Sequence, residues 1–156
     1  MREDFMSSIF QKIIAGEIPC HRLYEDEHVL AFLDVNPLSP GHALVIPKVP
    51  ARTLEDLSDD AAAAIGRALP PLCKAIRQAT GIDDYNVLQN NGLIAHQVVP
   101  HVHFHIIPKP GLRSGLRIRW PAGILDEGEG RAMAEDIRQA LTRERTGEAA
   151  RVSRSA

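Results

Sequence analysis

The sequence predicts one α+β domain, and three observations carry that reading. Its 156 residues are about one domain's length, enough to bury a hydrophobic core. Hydrophobic residues make up 44% and charged residues 24%, the balance of an ordinary globular chain rather than a disordered one. Short apolar runs of strand length are interspersed with capped segments of helical period, and no repeat or linker separates them.

The elements follow in order. Ser8 and Gln11 form a capping-box pattern opening a short helix with Ile9, Phe10, Ile13 and Ile14 inside, and Gly16 is placed to end it. Leu23–Glu25 and Val29–Leu33 read as strands. Residues 34–41, with two prolines and a glycine, read as a loop before a strand at Ala43–Ile46. Thr53 and Asp56 predict a single helical turn. Ser58, Asp59 and Asp60 start a stronger helix carrying Ala61, Ile65, Leu69, Leu72 and Ile76 at helical spacing, with Gly81 as its stop. Pro70 and Pro71 remove backbone donors inside it, which predicts a kink or a break into two helices. Tyr85–Gln89 and His101–Ile107 read as strands around a glycine-containing loop. Residues 111–130 show no period. A last helix is expected over about 130–145, with Met133, Ile137, Ala140 and Leu141 on one face, and a flexible tail over 147–156.

Composition excludes several classes of function. A formal charge of -2 argues against a protein built to grip nucleic acid. No apolar run approaches the roughly 20 residues of a membrane span, so no membrane partner is expected. The N-terminus carries acids where a signal peptide needs bases. Cys20 and Cys73 form no paired motif, so two reduced thiols in a cytoplasmic protein are expected. From Tyr85 to Leu125 there is no Asp or Glu, whereas Lys109, Arg113, Arg117, Arg119 and four histidines lie there. That stretch should carry positive potential, as a site for an anionic substrate would need.

Segment 101–108 carries the chemistry. On a strand, side chains alternate, so His101, His103 and His105 share one face and Val102, Phe104 and Ile106 the other, with about 7 Å between successive imidazoles. Three readings of this row compete. The histidines are structural; or they hold a metal, which would require a further ligand such as His42; or one is a nucleophile toward phosphorus. Neutral imidazole can attack without a metal, and its neighbours can donate to the phosphoryl oxygens.

The pattern His101-x-His103-x-His105 followed by two apolar residues resembles the histidine-triad (HIT) superfamily. Segments 8–19 (SIFQKIIAGEIP), 31–37 (AFLDVNP), 40–48 (PGHALVIPK) and 89–92 (QNNG) are similar to its Hint-like branch, in the same order, and the likeness covers residues 8–110. The resemblance implies one HIT domain over 1–146. Its fold would be a five-stranded antiparallel sheet with packed helices, in a homodimer that joins the two sheets. It implies a nucleotide hydrolase or transferase acting on purine nucleoside phosphoramidates through a nucleotidyl-His103 intermediate. Dinucleoside polyphosphates are the competing substrate class, and a nucleotide-binding protein without significant catalysis is the reading from a different class. No cofactor and no metal are implied.

Carried over by position, His103 is the nucleophile, oriented by the carbonyl of His101. His105 contacts the phosphate near the leaving group, and His42 supports His101 from a neighbouring strand. Asn90 matches the polar side chain contacting the phosphate, Gln97 falls among the nucleotide-binding positions, and Asp34 matches the acid on the ribose hydroxyls. Ile9, Phe10, Ile13, Phe32, Leu33 and Val35 match the cleft around the base. His21 and His28 match nothing and are expected at the surface.

Two positions depart from the pattern. His96 stands where the family has a glycine that lets the backbone approach the phosphate, and is a candidate for an additional phosphate or leaving-group contact. Val98 replaces a serine, removing a hydroxyl from the leaving-group side. Where some relatives bind structural zinc, this chain has Ser8, Gln11 and a residue near Pro50, so structural zinc is not expected.

Overall fold

A computed structural model describes residues 8–152, with side chains described through residue 146. The chain divides into two units, one up to Ile118 and one from Arg119 onward. The first contains α1 (Ile9–Ile14), β1 (Arg22–Glu25), β2 (Val29–Leu33), β3 (Ala43–Pro47), α2 (Asp59–Thr80), β4 (Tyr85–Gln89) and β5 (Phe104–Pro108). Single 3-10 turns occupy Leu54–Asp56 and Leu93–Ala95. The second contains α3 (Glu127–Val152).

The five strands form one antiparallel sheet in the order β1-β2-β3-β5-β4. Strand alternation gives it two apolar faces. Val29, Ala31, Ala43, Val45 and Ile106 point to α2, where Ala64, Ile65, Ala68, Leu72, Cys73 and Ile76 close the larger core. Leu30, Phe32, Leu44 and Ile46 point the other way and pack against Phe10 and Ile13 of α1. β2 is therefore covered on both sides, which explains its unbroken apolar run.

Both expected N-terminal devices form. The Ser8 hydroxyl accepts from the Gln11 N–H at 3.3 Å, and the Gln11 side chain accepts from the Ser8 N–H at 2.9 Å. The Asp56 carboxylate accepts from the Thr53 N–H at 2.8 Å.

Three expectations are corrected. α2 runs unbroken through Pro70 and Pro71. The prolines leave the carbonyls of Gly66 and Arg67 without intrahelical donors, but all four residues are exposed. Water can satisfy those carbonyls while the buried row Ala68, Leu72 and Ile76 holds the axis. β5 begins at Phe104 rather than His101, because β4 and β3 reach it only that far. α3 begins at Glu127, before the expected position. The Asp126 carboxylate accepts from the N–H groups of Gly128 and Glu129 at 2.9 and 3.0 Å, a cap that outweighs the poor helix propensity of Gly128 and Gly130. It is assigned to Val152; the last four positions of the expected tail, 153–156, lie outside the described residues.

Gly41 ends the loop into β3 at a φ of +84°, and a Cβ there would lie 2.6 Å from the Thr80 methyl, with Pro108 and Ile76 also crowding it. Gly41→Ala is therefore expected to cost about 2 kcal/mol, because strain and overlap act together. It should also depress turnover, since His42 is the next residue. Urea unfolding beside an activity assay checks both.

Candidate active site

The β3–β5 register assembles the histidines. Leu44 pairs with His105, so His42, two residues earlier and on the same face, sits diagonally beside it. His42 Nε2 and His105 Nδ1 are 2.9 Å apart. Stepping four residues back from His105 to His101 moves four residues along β3, toward Lys48. His101 Nε2 accordingly lies 2.9 Å from the Pro47 carbonyl. His42 thus meets His105 and not His101, correcting the expectation that it supports His101. Antiparallel pairing places the two at opposite ends of the row.

Acceptor chemistry decides the tautomers. A carbonyl only accepts, so His101 Nε2 carries a proton, and so does His103 Nδ1, which donates to the His101 carbonyl at 2.7 Å. His103 Nε2 therefore keeps its lone pair. The Leu38 N–H donates to His42 Nδ1 at 3.1 Å, so the proton of neutral His42 is on Nε2. It points at His105 Nδ1, leaving the proton of neutral His105 on its own Nε2. Adjacent rings thus differ: His103 offers an electron pair and His105 offers an N–H. Their centroids are 4.9 Å apart. Phe10 meets the His101 and His103 rings edge-on, at centroid distances of 6.0 and 5.2 Å.

These two rings open into a cleft of about 380 Å³. Its walls include Ile9, Phe10, Ile13, Phe32, Leu33 and Val35, with Asp34, His96, His103 and His105 as its titratable side chains besides Cys20. Phe10, Ile13 and Phe32 are core and cleft wall at once. Ile9 and Val35 are half or more exposed and so contribute mainly surface to a ligand.

Residues 15–112 match the HIT domain. The chain belongs to the HIT family. It is 52% identical to the adenosine 5'-monophosphoramidase hnt1 of Schizosaccharomyces pombe over 85% of this chain and 96% of that one. It is 50% identical to the adenylylsulfatase HINT3 of Arabidopsis thaliana, over 65% of this chain and 51% of that one. The crystal structure of a histidine triad nucleotide-binding protein from Candida albicans superposes with a TM-score of 0.82. There the identity is 40%, covering 88% of this chain and 99% of that one.

Other candidate residues of this HIT protein fall into two groups. Asp34 lies on the cleft wall and does more than shape a turn. One carboxylate oxygen accepts from the Asn36 N–H at 2.8 Å, while the other stands 3.6 Å from His42 Nε2. The acid-free stretch after Tyr85 hid this carboxylate, which reaches the histidines from the end of β2. Asp34, His42 and His105 each offer a ligand atom within 4.8 Å of the others, the one such cluster among the described residues. The second group holds the loop. Gln97, expected at the ligand, is buried instead: its Oε1 accepts from the Gly92 N–H at 2.7 Å and its amide donates to the Arg52 carbonyl at 2.6 Å. The Asn90 amide lies 3.5 Å from the His96 carbonyl and is not on the cleft wall. His21 and His28 are exposed.

The expected positive stretch does not deliver its charges to the cleft. No Lys or Arg is among its described lining residues. Lys109 Nζ donates to the carbonyls of Leu112, Ser114 and Leu116, and Arg117 donates to the Arg113 carbonyl. These cations shape the following loop.

Burial lowers the pKa of His105 from 6.5 to about 4; His103 and His42 add to the effect, and Asp34 opposes it. Burial likewise lowers the pKa of His42, against Asp34, and that of His101, against its bond to Pro47. Unfolded, these rings take a proton near pH 6.5; folded, they take it lower. The unfolded state binds more protons in between, so stability falls as pH drops from 6.5 toward 4 and loses nothing from these groups at higher pH. Urea midpoints across that window should show a steeper loss in wild type than in His105→Asn. Equal slopes would contradict this.

Proposed function

We propose that this protein hydrolyses purine nucleoside phosphoramidates at the α-phosphorus through a nucleotidyl-His103 intermediate. The observation that carries this reading is the 2.7 Å bond from His103 Nδ1 to the His101 carbonyl, which leaves Nε2 as a free lone pair beside the cleft. The apolar wall of Ile9, Phe10, Ile13, Phe32, Leu33 and Val35 takes the planar base. Asp34 accepts from a ribose hydroxyl. His103 Nε2 attacks phosphorus, and the P–N bond breaks as the new N–P bond forms; the amine leaves with the electron pair and takes a proton from solvent. Nδ1–H stays bonded to the His101 carbonyl, which stabilises the positive ring that results. His105 Nε2–H donates to a phosphoryl oxygen throughout. Water then attacks phosphorus, gives a proton to solvent, releases the nucleoside monophosphate and restores His103.

The relatives named as adenosine 5'-monophosphoramidase and adenylylsulfatase support this substrate class. For assembly, a homodimer joined through the sheet fits the edge position of β4, whose Tyr85 and Val87 are exposed. Two free thiols fit a cytoplasmic setting. No helix among the described residues is long and apolar enough to cross a membrane.

The cluster Asp34, His42 and His105 favours a second reading, metal-assisted hydrolysis. The 2.9 Å contact between His42 and His105 argues against it, because that hydrogen bond uses the nitrogens a metal would need. Adenosine 5′-phosphoramidate in EDTA separates the two. The proposal expects undiminished turnover and, after rapid quenching, a nucleotidyl adduct on His103 by mass spectrometry. His103→Ala should lose the adduct and about 10⁴-fold or more in kcat. Turnover that stops in EDTA and returns with zinc would establish the metal reading instead.

A further inference from the structure

Among the described residues, His96 is the one non-glycine with a positive φ, at +66°. A side chain is disfavoured there, and glycine would fit without strain. Its main chain is held from both sides: the N–H donates to the Leu93 carbonyl at 3.0 Å, and the carbonyl faces the Asn90 amide. The next residue, Gln97, is locked into the Gly92 and Arg52 main chain. The backbone is tied down by these bonds, and His96 lines the cleft with His103 and His105.

Its surroundings define what it can do. Between Gly92 and Val99, Gln97 is buried, and the other side chains apart from His96 are apolar. No Lys or Arg is among the described residues that line the cleft, and burial pushes His42, His101 and His105 toward the neutral form. An incoming nucleotide already carries negative charge at phosphorus, and an acidic leaving group adds more. His96, exposed and on the cleft wall, is the residue of this loop whose side chain can offer an N–H to that second charge while remaining hydrated.

We propose that His96 selects the leaving group, favouring nucleoside 5′-phosphoryl compounds whose leaving group is an anion, such as sulfate, over those releasing a neutral amine. This rests on the proposed nucleotidyl transfer to His103. With adenylyl sulfate, His103 Nε2 bonds to phosphorus as the bridging P–O bond breaks. Sulfate departs with that electron pair, and His96 pairs with it as its charge develops. Water completes the cycle as before, releasing AMP and a proton. Position 96 thereby becomes a specificity determinant where a glycine would leave only backbone.

The test compares adenylyl sulfate with adenosine 5′-phosphoramidate, in EDTA, for wild type, His96→Asn and His96→Arg. Asparagine tolerates the backbone conformation and withdraws the imidazole; arginine reaches at least as far and carries a fixed charge. Thermal melts confirm that the variants fold. The expected result is that His96→Asn lowers the sulfate-to-amidate ratio of kcat/KM about tenfold, and that His96→Arg recovers most of it. An unchanged ratio in His96→Asn would overturn the inference while leaving the nucleotidyl-His103 reading intact. A fall confined to the amidate would also overturn it and make His96 a proton donor to the amine. Failure of wild type to turn over either compound would instead remove the proposed function on which the inference rests.

Discussion

The pairing of β3 with β5 is the constraint on which the rest of the site depends. A single register, Leu44 opposite His105, sets His42 against His105 and carries His101 to the Pro47 carbonyl. A slip by one residue would turn every side chain of β5 to the other face. Ile106 would then meet Phe10 instead of the α2 core, and the imidazoles would enter that core without polar partners. The apolar alternation that builds the fold is therefore the same alternation that aligns the histidines. Stability and geometry cannot be varied separately along this strand.

Register alone does not specify chemistry, because imidazole is ambiguous about where its proton sits. Main-chain groups resolve the ambiguity. Two carbonyls, of Pro47 and His101, force protons onto His101 Nε2 and His103 Nδ1; one N–H, of Leu38, leaves the proton of neutral His42 on Nε2. Since backbone groups cannot titrate, these assignments hold wherever the chain is folded and the rings are neutral. Burial supports them by disfavouring the charged forms of His42, His101 and His105. A row with alternating donor and acceptor is suited to attack on phosphorus, where one ring must offer electrons and its neighbour an N–H.

Much of this was legible in the sequence wherever local chemistry decided the outcome. The Ser8 capping box, the α2 face and the strand alternation depend on residues a few positions apart, and the expected forms are present. What stayed hidden depends on distant partners. The late start of β5 follows from how far β3 and β4 extend, and the continuity of α2 goes with the exposed position of Gly66, Arg67, Pro70 and Pro71. Asp34 was legible, through the resemblance, as a ribose-contacting position, but its approach to His42 needs the loop that folds back through Gly41. Lys109 shows the opposite failure: its charge looked available for an anion, and three carbonyls hold it. Charge counted along a chain overlooks what the backbone absorbs.

The account stands on the tautomers, and ¹⁵N NMR of the histidine side chains at neutral pH in the free protein reads them directly. His103 should show a protonated Nδ1 and an unprotonated Nε2, while His42 and His105 show the reverse. A proton on His103 Nε2 would remove the lone pair that the proposed chemistry requires and would contradict the account at its centre.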